Sequence, residues 1–247
     1  MPGLVWKIIR IKLTVVPVAA VGLLAAGWLR IRREHATWGL VTGDLTRTLP
    51  GDDLVSDADI VETRSLDIAA PPSAVWPWLV QMGYGRGGWY SYDQLDMRGP
   101  SARTIDPELQ DLAEGDLVPT HPGGGFIARV VDAPRALVLY LDAAIAREQL
   151  ANASREGTMT AAMPARLQMA GSMGEMTMPD FRVSWAFVLE DAPGGGTHLI
   201  ERFRVRTGEP SLPQRLGMPF MGYGVFAMTR KQMLGIKARA ERAFAGG

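Results

Sequence analysis

Residues 76–93 read WPWLVQMGYGRGGWYSYD. Six of these eighteen positions are Trp or Tyr and four are Gly, in a chain that is only 8% aromatic. Just upstream, Ala69-Ala70-Pro71-Pro72 and Ser73 open a helix, with Pro72 in the first turn, where its missing N–H leaves no bond unmade. Val75, Leu79 and Met82, with Trp76 and Trp78 beside them, give that helix a broad apolar surface, and Gly83 starts its exit. The aromatics that follow, Trp89, Tyr90 and Tyr92, have two readings. They plug one end of a sheet as a packed corner, or they wall the mouth of a cavity and grip an apolar ligand. Gly83 to Gly88 formally spells G-x-G-x-x-G, but a dinucleotide site needs that motif between a strand and a helix of a βαβ unit. Here it follows a helix, so the glycines serve a sharp turn.

Outward from this stretch, strand patterns surround it. VETRSLDI (61–68) precedes it; GGFIARVV (124–131) and ALVLYL (136–141) follow. FRVSWAFVLE (181–190) and THLIERFRVRT (197–207) flank DAPGGG, a hairpin connection with strong turn chemistry. In the first arm Val183, Trp185, Phe187 and Leu189 alternate with Ser184, Ala186, Val188 and Glu190. In the second, Leu199, Glu201, Phe203 and Val205 alternate with Ile200, Arg202, Arg204 and Arg206. The alternation predicts an aromatic face toward the interior and an arginine face toward water. The chain closes with a helix over 220–244, on which Phe226, Thr229, Met233, Ile236, Ala240 and Ala243 share one face. Strand, helix, aromatic segment, antiparallel strands and a long terminal helix make an α+β layout, with room for a cavity between the curved sheet and that helix.

The words IAAPPSAVWPWLVQMGYGRGGWYSYD (68–93), ELQDLAEGDLVP (108–119) and SWAFVLEDAPGGGTHLIERFR (184–204) occur in this order. With them the chain resembles the START-like (SRPBCC) superfamily, the helix-grip fold of polyketide cyclases, lipid-transfer domains and the birch-pollen allergen group. The likeness covers about residues 50–140 and 181–242 and is nearest to a bacterial branch without an agreed activity. It implies a helix-grip domain over 61–247 and binding of a hydrophobic small molecule or lipid. Two departures stand out. Residues 142–180 form a Met-rich insertion or lid, with Met159, Met163, Met169, Met173, Met176 and Met178, flexible side chains suited to adaptable apolar contacts. Glu201 stands on the apolar face of its strand, where the family has an aliphatic residue.

Residues 1–34 read as a membrane anchor. LTVVPVAAVGLLAAGWL (13–29) carries no charge, and as a helix it spans roughly 25 Å, just short of a hydrocarbon core of about 30 Å. Trp6 and Trp28 suit the two interfaces. A cleaved signal peptide is the competing reading, from Ala25-Ala26-Gly27, but Arg30, Arg32 and Arg33 follow as a stop-transfer flank. Lys7, Arg10 and Lys12 balance those arginines and Arg47, so charge does not orient the segment. Residues 35–60 are a turn-rich connector.

Composition trims the remaining classes. The 26 basic and 26 acidic residues leave no field for nucleic acid. There is no cysteine, hence no disulfide or thiolate chemistry. His35, His121 and His198 show no ligand spacing, and neither a metal nor a cofactor is expected. The one chemically interesting acid is Glu201: burial would raise its pKa, with Arg86 or Arg129 as candidate mates. The ligand-binding candidates are Trp76, Trp89, Tyr90, Tyr92, Trp185, Phe187, Phe203, Phe226 and Met233. Two further readings remain: a cyclase- or hydratase-type enzyme using Glu201, and a partner-binding module that docks another protein through the Met-rich segment and the aromatic loop.

Overall fold

A computed structural model describes residues 36–41, 43–94, 99–155, 180–208 and 212–246, the last stretch with side chains from residue 222 onward. Six strands, β1 (Ile60–Ile68), β2 (Leu117–His121), β3 (Gly124–Asp132), β4 (Ala136–Asp142), β5 (Arg182–Ala192) and β6 (Gly196–Arg206), form one sheet. Helix α1 (Pro72–Val80) follows β1, α2 (Ala143–Arg155) follows β4, and α3 (Leu212–Ala245) closes the chain. The order across the sheet is β1-β6-β5-β4-β3-β2, every pair antiparallel. The architecture is therefore α+β, an antiparallel sheet with a long C-terminal helix.

Because β1 and β2 are opposite edges, the chain between them must cross the sheet. It does so over the inner face, carrying α1 and the aromatic segment, and α1 packs against α3 there. Val75, Leu79 and Met82 of the α1 region are fully buried, as are Met233, Ile236 and Ala240 of α3. At about 25 cal/mol per Å² of apolar surface, the fully buried Val, Leu, Ile and Met side chains among these are each worth about 1.5–3 kcal/mol. Gly83, Gly85 and Gly88 all have positive φ, and Gly83 and Gly88 exchange two backbone hydrogen bonds of 3.1 Å. The glycine motif is a closed turn, not a phosphate cradle.

The arginine face meets water only at its end: the Arg206 side chain is 36% exposed, while Arg202 and Arg204 are covered. Arg202 is 3% exposed beneath residues 43–56. Its guanidinium donates to Thr63 Oγ1 at 3.0 Å, the Arg47 carbonyl at 2.8 Å and Asp52 Oδ2 at 2.7 Å. Arg204 donates to the Val55 and Ser56 carbonyls. Leu49 completes a small apolar cluster with Val188 and Ile200. A turn-rich segment has backbone carbonyls to satisfy, and the outward arginines satisfy them. Alternation shows which residues share a face, not whether that face is covered.

Three elements depart from the sequence reading. The terminal helix begins at Leu212 rather than near 220. LVPTH is an edge strand despite Pro119, which an edge with a register shift tolerates. The start of the segment read as an insertion is helical: Asp142 Oδ1 accepts from the Ala144 and Ile145 amides at 2.9 and 2.8 Å, an N-cap that starts α2. All six methionines of that segment lie outside the described residues, as does the apolar segment 13–29. Among the described residues no helix is long and apolar enough to cross a membrane.

Candidate functional site

The inner face of the sheet gathers the aromatic candidates because β5 and β6 pair without a break, so Trp185 faces Phe203 and Phe187 faces Glu201. Trp185 is the hub. Trp89 stacks on it at 5.4 Å, and Phe126, Phe187 and Phe203 surround it at 5.7, 5.0 and 5.8 Å. Each such pair adds about 0.5–1.5 kcal/mol beyond its buried area. Phe126 was not among the sequence candidates. Its place in GGFIARVV, two residues before the inward Ala128, is the signal that finds it.

The other candidates divide. Trp76 is half-buried against the core, and Met233 is fully buried. Tyr90 is 2% exposed with φ 56°, a left-handed backbone that costs a non-glycine residue about 1–2 kcal/mol. Ser101 Oγ accepts from its amide at 3.0 Å and in turn donates to Asp93 at 2.7 Å. Arg239 lies 4.6 Å from the Tyr90 ring centroid, and burial pushes the phenol above its ordinary pKa. Tyr92 is not with the others: it is 44% exposed, its ring beneath the Lys231 ammonium. Phe226 is half-buried, with the Arg64 guanidinium 5.5 Å from its ring centroid.

Glu201 points inward, fully buried. Its mate is neither Arg86 nor Arg129. Arg86 donates to the Val80, Met82 and Leu109 carbonyls, and Arg129 lies over Tyr140. The mate is Arg64, directly opposite on β1, whose Nη1 lies 3.3 Å from Glu201 Oε2. Trp185 Nε1 donates to Glu201 Oε1 at 2.7 Å. Arg64 Nη2 is held by Glu62 Oε2, so one guanidinium serves two carboxylates. Burial raises the Glu201 pKa, opposed by Arg64 and the Trp185 hydrogen bond. Because Glu201 is fully buried against Arg64 and Trp185, a substrate reaches it only if one of these partners moves. In VETRSLDI, Glu62 and Arg64 share the parity of Leu66 and Ile68; that pattern is the sequence signal that both face inward.

Exposure along the inner face is graded. Ile68, Leu137, Leu139, Phe187, Leu189 and Leu199 are 0–1% exposed. Toward the other end, Leu141, Val183, Phe203 and Val205 are half-buried. These are cross-strand neighbours, with Val183 between Leu141 and Val205. A separate cavity of about 790 Å³ opens nearby, lined by charged side chains such as Asp57, Asp142, Arg147 and Arg182. It differs in chemistry from the apolar space expected between sheet and α3.

No protein-family model matches the chain, and no curated protein matches it. Solved structures do. Protein MLL2253 from Mesorhizobium loti is 14% identical, over 74% of this chain and 98% of that one, with a TM-score of 0.35. CalU16 from Micromonospora echinospora is 16% identical, over 75% and 86%, at 0.30. Ara h 8.0201 is 15% identical, over 76% and 99%, at 0.26.

Proposed function

We propose that the chain is a START-like helix-grip domain that binds a hydrophobic small molecule or lipid between its sheet and α3, at a membrane to which residues 13–29 anchor it. The observation that carries this reading is the graded inner face. A sheet end whose inward residues are Leu141, Val183, Phe203 and Val205, all half-buried, offers apolar area that an apolar guest covers further. Sealing by Trp185 and its ring of aromatics keeps that guest at one end. The three sequence words shared with the superfamily support the same reading, and the uncharged run 13–29 supports the membrane setting.

The test is native mass spectrometry of the full-length chain released from a non-ionic detergent, followed by solvent extraction. A defined apolar molecule carried at one copy per chain is the expected result. A folded chain that carries none, and that takes up no added N-phenyl-1-naphthylamine, overturns the reading. Reproducible capture of one protein in place of a small molecule would favour the partner-binding alternative.

A further inference from the structure

Glu62, Arg64, Glu201 and Trp185 stand on the same inner face as the half-buried apolar end, because inward parity runs through β1, β6 and β5. Glu62 is paired with Phe203 and Arg64 with Glu201, so the cluster borders the apolar surface directly. Two carboxyl groups, those of Glu62 and Glu201, flank the one guanidinium. Arg64 and Glu201 have no exposed side-chain surface, whereas the Glu62 side chain retains 16%. Glu62 is thus the member of the cluster a guest can reach.

Among the described residues the cluster's one cation is already engaged. Both terminal nitrogens of Arg64 hold carboxylates and its guanidinium carbon lies over the Phe226 ring, so a fatty-acid carboxylate or phosphate would have to compete with Glu62 or Glu201. A donor meets no such obstacle, since a carboxylate offers about four lone-pair sites. Apolar residues of similar size often stabilise a fold as well as a buried ion pair does, so the presence of this cluster beside the apolar surface fits a recognition role.

Resting on the apolar-ligand reading above, we propose that this cluster receives the polar end of the bound molecule and selects a hydrogen-bond donor. The guest is an apolar body with an ammonium or hydroxyl head that docks on Glu62, and carboxylate-headed lipids are rejected.

The test is a competition. The full-length chain in a non-ionic detergent receives equimolar dodecylamine, 1-dodecanol and dodecanoate, and native mass spectrometry counts each bound species. The amine is expected to exceed the carboxylate by roughly tenfold, with the alcohol between them. Equal occupancy, or preference for dodecanoate, overturns the head-group assignment and leaves apolar binding standing. Binding of none of the three overturns both. Glu62→Gln removes the carboxylate that receives the head group and is expected to bring amine and carboxylate close to parity while the alcohol still binds. A Glu62→Gln chain that keeps the full preference counts against the proposal, with thermal melting as the check on folding. Glu62→Ala deletes the same carboxylate and serves, with the same expected parity, where the first variant does not fold.

Discussion

Replacing Arg64 by leucine leaves Glu62 and Glu201 on one apolar face with no cation between them. Removing one partner of a buried ion pair costs about 3–5 kcal/mol, mostly from the charge left behind. Arg64→Leu is therefore expected to lower stability by about that amount, and Glu201→Leu by less, because Arg64 keeps Glu62. The double variant Arg64→Leu/Glu201→Leu is expected to be more stable than Arg64→Leu alone, read by denaturant unfolding. A double variant no more stable than the arginine single would mean that the cluster is not electrostatically coupled. The inward position of Glu201 was legible from the alternation of Leu199, Glu201 and Phe203. Its mate was not. Arg64 lies 137 residues away and meets Glu201 only through the register of β1 against β6, which no local pattern encodes.

At the scale of elements, α3 lies close to the aromatic segment at one point. A Cβ on Gly235 would stand 2.3 Å from the Tyr90 carbonyl oxygen and 2.9 Å from its Cβ. Gly235→Ala raises intrinsic helix propensity by about 1 kcal/mol, yet it forces backbone apart. The expected outcome is a net loss of about 1–3 kcal/mol, with a lower melting temperature. A stabilised variant would show that helix and loop are free to separate. The face of α3 was legible from period 3.6 through Thr229, Met233, Ile236 and Ala240, although Ala243 is exposed; β5 and β6 were legible from alternation, three further strands as strand-like runs, and the α1 helix from its prolines. The missed elements had weak local signals. β2 is short and contains a proline, and α2 is polar enough, with only Ala143 and Ala153 buried, to read as surface. Tertiary pairing decided both.

Across the whole molecule, residues 43–59 form a strap on the outer face of the sheet. His198 of β6 holds it to β1, with Nδ1 2.6 Å from Asp67 and Nε2 3.1 Å from Asp44, which also accepts from Ser65. Burial opposes charging of His198, but Asp67 and Asp44 outweigh it, and its pKa lies above the ordinary 6.5. For Asp44, burial is outweighed by His198, Ser65 and the Val41 amide, and its pKa lies below 3.8. A base with a raised folded pKa contributes stability that is complete below its unfolded pKa and fades as pH rises through the folded one. The aspartate behaves oppositely and fades only in acid. Wild-type chain is therefore expected to exceed His198→Asn in melting temperature by more at about pH 5.5 than at about pH 8.5. An unchanged difference would release the strap from this histidine. The strap was read only as a connector, since Asp44 and His198 meet through the fold and not through the chain.

Strand β6 carries His198, Arg202 and Arg204 outward and Leu199, Glu201 and Phe203 inward, and it pairs in unbroken register with β1 and β5. Inserting or deleting one residue within it would turn the strap-holding arginines into the interior and the aromatic face into the strap. Lineages that lengthen or shorten this chain are thus barred from single-codon changes in β6. The hairpin tip, Pro193–Gly195, exposed and with nothing within 4 Å of a Cβ at Gly194 or Gly195, is where length can vary.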